Sequence, residues 1–230
     1  MPKPTFFRLE EEKQKKILNA AKKEFSTVPI HEVSIANIIK TADIPRGSFY
    51  QYFDGKDDVF FYLFDLLLDE PERYLSEVFE QTQGDLLESF HQFFDYFSEV
   101  VLFGEDALFY KNIFLHMDYR GSNRMIHSNE EVKAHTEHIH KHRKEQTMTM
   151  NRLYEGLNKE QLKIANENEF KLLFKLILSI MFSSINEGYR MQIREGDIKI
   201  EEIKEAFHLK LSWLKYGVHQ TKEEDDEKNN

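Results

Sequence analysis

The 230-residue sequence contains no cysteine, five prolines, nine glycines and a single tryptophan. Without cysteine there is no disulfide framework and no thiolate metal site, which fits a reducing cytosol. Glycine and proline are scarce and alternating β-branched runs are missing, so there is little strand signal. No apolar run is long enough for a membrane. The most apolar stretch, residues 170–185, is interrupted by Lys171 and Lys175 and falls short of the ~20 apolar residues that a span needs. The N-terminal MPKPTFFRLEEEKQKK has no apolar stretch and no small-residue cleavage site, so no secretory signal is expected. No phosphate-binding glycine loop, Gly-x-Ser-x-Gly elbow or His-Glu-x-x-His pair occurs. The expectation is a cytoplasmic protein with no membrane partner, catalytic residue, cofactor or resident metal.

What the sequence does have is phenylalanine, 20 residues of it, within a 40% apolar composition. That is enough to bury a sizeable core. The apolar period is 3.6 nearly throughout, which predicts an all-α fold. Ile17, Ala21 and Phe25, flanked by Leu18 and Val28, form one stripe. Ser34 stands as N-cap before Ile35, Ile38, Ile39 and Ala42. Asp43-Ile44-Pro45 breaks the pattern, and a short helix runs to Phe53. A helix opens at Lys56; Pro71 is expected to end or kink it before it resumes to about Gln81. Leu86 to Val101 and Leu108 to Met117 read as helices and 120–127 as a loop. Ser128 and Glu131 have capping-box spacing for a helix to about Leu157. Residues 170–191 and 201–218 are the last helices.

Charge is uneven. The chain carries a net −10, but residues 1–56 hold 10 Lys and Arg against 7 Asp and Glu, and residues 57–230 hold 21 against 34. A polyanion partner would therefore be met by the N-terminal end alone. Within that end, residues 34–56, SIANIIKTADIPRGSFYQYFDGK, give two short helices around a tight turn, the spacing of a helix-turn-helix. In the second helix Phe49, Tyr52 and Phe53 share one side. Gly47 and Gln51 lie opposite, with Arg46, Ser48 and Tyr50 on the flanks. The outward face bears an amide, a guanidinium, two hydroxyls and no carboxylate. Gln pairs with adenine, Arg with guanine, and Tyr donates to phosphate.

From about Phe6 to Phe60 the chain resembles the DNA-binding domain of TetR-family transcriptional regulators. Ile17-Leu18-Asn19-Ala20-Ala21-Lys22-Lys23-Glu24-Phe25 matches the family's first-helix pattern. Gly47-Ser48-Phe49-Tyr50-Gln51-Tyr52-Phe53 resembles its recognition helix, and Lys56 falls on the lysine that opens the next helix. Two positions differ. Asp43 stands where the family usually has Gly, and Asp tolerates the left-handed conformation that the turn requires. Pro45 stands where a Ser often begins the recognition helix; it suits a first helical turn but has no hydroxyl.

The resemblance implies a homodimeric regulator of operator DNA with a C-terminal effector-binding and dimerisation domain. We expect a DNA-binding domain over 1–56, an effector and dimer domain over 57–221, and a charged tail over 222–230. Arg46 and Gln51 are expected at base edges, with Gly47 allowing close approach. Ser34, Ser48, Tyr50 and Lys56 are expected to position the DNA backbone. The expected function is a repressor released by a small hydrophobic effector; the alternative is an α-helical small-molecule carrier or enzyme. The expected effector cavity is lined by Phe93, Phe97, Phe109, Phe114, Met117 and Ile139, with His116, His135 and His142 orienting the ligand. His135, His138 and His142 also have the spacing to share a metal, but no carboxylate is spaced to complete the set, and His135 and His142, flanking Ile139 on the apolar face, read rather as hydrogen-bonded core or pocket groups. Dimerisation is expected through 170–191 and through the stripe Ile203, Phe207, Leu211, Leu214 and Val218.

Overall fold

The computed structural model describes residues 1–116 and 152–218. The expected loop at 120–127, the capping box at Ser128, the histidines at 135–142 and the tail at 222–230 lie outside the described residues. Eight labelled helices follow in order: α1 (Glu11–Thr27), α2 (Ile35–Ala42), α3 (Arg46–Tyr52), α4 (Lys56–Gln81), α5 (Leu86–Phe103), α6 (Ala107–His116), α7 (Glu167–Glu195) and α8 (Ile200–Tyr216). No strand occurs among the described residues, and the fold is all-α. No helix there is long and apolar enough to cross a membrane.

The N-terminal helices close on a small aromatic core. Ile17, Ala21 and Phe25 of α1, Ile38 of α2 and Phe49 of α3 are buried. The α2–α3 turn forms as the sequence suggested. Asp43 adopts the left-handed conformation at φ 52°, and the Ile44 N–H donates back to the Ile39 carbonyl at 3.2 Å, a Schellman-type closure. Ser34 takes the N-cap position of α2, but its hydroxyl makes no capping bond. Glu24 does that work from α1, accepting from the Ser34 N–H at 3.1 Å and from Asn37 Nδ2 at 3.0 Å. The carboxylate satisfies an orphan donor and leaves the hydroxyl uncommitted.

Helix α4 does not end at Pro71. It runs unbroken from Lys56 to Gln81 with Pro71 buried inside it. Proline removes the N–H that would bond to the carbonyl four residues back. That carbonyl, on Leu67, accepts from the Tyr110 hydroxyl of α6 at 3.0 Å instead. Burial, with Asp106 nearby, pushes the Tyr110 phenol far above its ordinary range, so it stays a donor. Tyr110→Phe is expected to orphan the Leu67 carbonyl and cost about 1–2 kcal/mol in urea unfolding; no loss would show that the bond carries nothing.

Immediately after Pro71, burial together with Asp65 and Asp69 pushes the Glu72 carboxyl up to about 7 from 4.5. The folded chain therefore binds more protons than the unfolded chain between those values. Stability from this group is full below pH ~4.5 and lost as pH rises through ~7. Glu72→Gln is expected to raise Tm more at pH 8 than at pH 4.5, and an equal shift at both would contradict the assignment.

The larger core joins α4 to α8. Phe90, Phe94, Phe170, Ile177, Ile185 and Phe207 are fully buried, and Phe94 stacks on Phe207 at 3.8 Å between α5 and α8. Along that seam, Lys204 pairs with Glu99 at 2.8 Å and Lys215 approaches Asp85 at 3.9 Å. Between them His208 lies among His91 and Asp95. Burial is the main influence on His208 and pushes it below the ordinary histidine value, against an upward pull from Asp95 and with a downward push from His91.

The expected dimer stripe on the last helix is corrected by this packing. Ile203, Phe207 and Leu211 face inward, within the same subunit, Leu214 is half-buried, and Val218 lies past the helix end. The apolar residues that α7 and α8 leave outside are others: Leu172, Leu176 and Ile193 on α7, and Leu209, Trp213 and Tyr216 on α8.

Candidate nucleic-acid interface

Helix α3 presents its two faces as its sequence dictates. Phe49 and Phe53 are fully buried and Tyr52 nearly so. Arg46, Gly47, Tyr50 and Gln51 are exposed, and Ser48 is half-buried. A Cβ on Gly47 would meet nothing within 4 Å. Packing inside the chain therefore gives no reason for glycine there, while close approach of an external surface does. The Arg46 guanidinium and the Gln51 amide have no hydrogen bond or ion pair among the described residues. They are donors left for something outside the chain.

An arm that the sequence analysis left unassigned holds this helix from behind. Phe6 is fully buried and sits 5.0 Å from the Phe53 ring and 5.9 Å from Tyr62. Lys3 donates its backbone N–H to the Tyr52 carbonyl at 2.7 Å and its ammonium to the Tyr50 carbonyl at 2.9 Å. The Thr5 hydroxyl donates to the Gln51 carbonyl. Three carbonyls at the C-terminal end of α3 thus find donors, which fixes a helix of only seven residues. The only sequence signal was the Phe6-Phe7 pair ahead of a charged helix.

The same arm also adjusts the charge around the interface. Carboxylates flank α3 at both ends, and each is paired with a lysine. Asp43 meets Lys16 at 3.4 Å and Asp54 meets Lys3 at 2.6 Å. Lys56 is placed differently from the simple phosphate contact expected of it. Its ammonium donates to the His31 carbonyl at 2.8 Å and the Val33 carbonyl at 3.3 Å, holding the segment that leads into α2. An ammonium has three protons, so one remains beyond these two bonds.

Helix α6 locks this unit to the rest of the chain. Phe109 stacks on Phe60 of α4 at 5.6 Å and meets Phe25 of α1 edge-on at 6.2 Å. Asn112 Nδ2 donates to the carbonyls of Phe25 and Val28 at 2.7 and 3.2 Å, so it caps the end of α1. Lys22 pairs with Asp106 at 2.7 Å.

Of the residues expected around an effector, Phe93, Phe97, Phe109 and Phe114 are buried in one core and differ in their ring contacts. Phe93 and Phe97 stack on each other at 5.2 Å. Phe109 lies at the contact with α1, and Phe114 packs on Phe182 of α7 at 4.5 Å. His116 is exposed, while Met117, His135, Ile139 and His142 lie outside the described residues. A cleft of about 400 Å³ opens elsewhere, between Ser76, Phe79, Gln83, Leu153 and Gly156.

A helix-turn-helix with an uncommitted polar face, joined to a helical second unit, is an arrangement shared with known proteins. The family model described as "Bacterial regulatory proteins, tetR family" matches residues 17–63, and "Tetracyclin repressor-like, C-terminal domain" matches residues 85–218. The chain belongs to the TetR family. Among relatives of this TetR-family chain, the HTH-type transcriptional regulator HbdR of Aromatoleum sp. (strain CIB) is 35% identical over 77 residues, 34% of this chain and 32% of that protein. An uncharacterized HTH-type transcriptional regulator of Bacillus subtilis (strain 168), YdgC, is 39% identical over 49 residues, 21% of this chain and 25% of that one. The chain thus spans a third or less of the length of these curated relatives. The crystal structure of a TetR transcriptional regulator from Rhodococcus sp. RHA1 superposes with a TM-score of 0.52 at 13% identity, covering 91% of this chain and 100% of that one. That likeness is one of fold.

Proposed function

We propose that this chain is a cytoplasmic, homodimeric regulator that binds operator DNA through α3 and is released from it by a small hydrophobic effector. The observation that carries the reading is the outward face of α3, with Arg46 and Gln51 uncommitted, Gly47 clear of packing and the flanking carboxylates paired with lysines. Residues 1–56 form the DNA-reading unit in this reading. Arg46 and Gln51 read base edges; Tyr50, Ser48, the free Ser34 hydroxyl and the remaining proton of Lys56 position phosphates. Residues 57–221 bind the effector and dimerise. The exposed apolar residues of α7 and α8 supply the face for a second copy, a symmetric pairing of two helices from each protomer.

The interior of the second unit, rich in Phe90, Phe93, Phe94, Phe97 and Phe174, suits an apolar effector better than a sugar or a phosphate. Such a molecule acts only if it prefers one spacing of the two α3 helices. Two routes connect that unit to α3: the continuous α4 and the α6 contacts with α1. The experiment is a mobility-shift titration on DNA sites selected from a random pool. Gln51→Ala is expected to lose ~1–3 kcal/mol at one base position and to relax specificity there. Unchanged affinity and specificity in both Gln51→Ala and Arg46→Ala would remove α3 as the reading element.

A further inference from the structure

The seam between α5 and α8 carries three polar rungs, and the middle one differs from its neighbours. The outer two set a lysine of α8 against a carboxylate of α5 or of its N-cap: Lys204 with Glu99 and Lys215 with Asp85. In the middle, α8 offers His208, and α5 offers His91 and Asp95, which share a face at i and i+4. The two imidazoles stack with ring centroids 3.6 Å apart and planes 14° from parallel. Asp95 Oδ1 lies 3.0 Å from His208 Nε2. Both atoms are shielded from solvent, and neither makes a hydrogen bond. They are close enough for one, so the fault is in alignment: the line between them misses the direction of a ring N–H. Two buried polar atoms thus face each other at ion-pair distance without an aligned hydrogen bond, an arrangement that a cation between them would satisfy.

We propose that His91, Asp95 and His208 bind a divalent late transition metal, Zn²⁺ being the representative ion, and that the ion clamps α8 onto α5. One ligand atom from each of the three residues lies within 4.8 Å of the other two. In a tetrahedral zinc site with bonds near 2.0–2.1 Å, neighbouring ligand atoms sit about 3.3 Å apart. The Asp95–His208 separation is already close to this. His91 and His208 are only half-buried, so the cluster is reachable from solvent. Two nitrogens and one oxygen select a borderline cation over Mg²⁺ or Ca²⁺, which prefer all-oxygen shells. Three protein donors leave one position for water. The stacked Phe94–Phe207 pair beside the site fixes the helix spacing on which the ligand distances depend.

The clamp has a consequence for assembly. Residues Leu209 and Trp213, on the face of α8 turned away from the core, are exposed. An ion that pins the inner face of α8 therefore orders the outer one.

The test uses the untagged full chain, stripped with chelator and titrated with ZnCl2 and separately with CoCl2. Because His135, His138, His140 and His142 offer a competing cluster, two variants are compared, one with those four histidines replaced by alanine and one with His91→Gln and His208→Gln. We expect about one Zn²⁺ per chain with a raised Tm, and visible Co²⁺ absorption in the pattern of low coordination. Both should persist in the four-alanine variant and weaken at least tenfold in the double-Gln variant. Asp95→Asn, which keeps shape and removes charge, should weaken binding with the apo Tm changed little. Binding that survives the double-Gln variant, or vanishes with the four alanines, would overturn the assignment, as would Mg²⁺ raising Tm as strongly as Zn²⁺. The readout is metal affinity, so it stands or falls apart from DNA binding.

Discussion

A chain carrying Leu176→Glu and Trp213→Glu is expected to sediment as a monomer at micromolar concentration, where the unaltered chain is expected to be a dimer. Both side chains are about half exposed within one protomer, 46% and 48%, so the protomer itself loses little. Surface changes of this kind usually shift stability by less than ~0.5 kcal/mol. In a two-fold dimer each substitution appears twice, and burying unpaired carboxylates is costly. A weakening of dimerisation by roughly a hundredfold or more follows, near 3 kcal/mol, and operator affinity falls with it because each α3 then binds alone. Sedimentation velocity checks the first effect and a mobility shift the second. A variant that remained dimeric would place the partner surface elsewhere. The matched control is Leu211→Ala. That change touches a residue packed inside the subunit, so it should lower Tm while leaving the folded protein dimeric.

Phe109→Ala is expected to cost about 3–5 kcal/mol in urea unfolding, the range for removing a fully buried ring. Its ring is 1% exposed and touches both Phe25 of α1 and Phe60 of α4. The cavity therefore opens where the DNA-reading unit meets the rest of the chain. A loss below 1 kcal/mol would mean that this contact does not hold the two together. Asn112→Ala, which uncaps α1 without opening a cavity, should cost less, about 1 kcal/mol.

The parts of the fold legible in sequence are those fixed by local periodicity. The two faces of α3 follow from 100° per residue applied to Phe49, Tyr52 and Phe53. The left-handed Asp43 follows from its place between two helical stripes. Where a distant residue decides the outcome, sequence alone misses it. Pro71 reads as an end or a kink because nothing nearby restores its lost bond, and the restoring Tyr110 lies 39 positions further on. Ser34 reads as a cap because its type and position suit one, yet Glu24 reaches the N–H from α1. The stripe Ile203, Phe207 and Leu211 reads correctly as apolar. Periodicity does not say whether such a stripe faces its own core or a partner; here α8 turns it to α5, and Leu209 and Trp213 are left outside. The Lys3 and Thr5 bonds to α3 carry no sequence pattern at all, because their acceptors are backbone carbonyls.

In the proposed function, two copies of α3 read DNA as a symmetric pair. Hydroxyl-radical footprinting on a site selected by the full chain tests it most directly. The expected result is a palindromic site with two protected patches on one side of the duplex, their centres about one helical turn, ~34–36 Å, or a near adjustment of it, apart. Affinity should fall steeply with added salt, and Gln51→Ala should lose discrimination in both patches alike. A single unpaired patch, or equal affinity for selected and scrambled DNA, would contradict it.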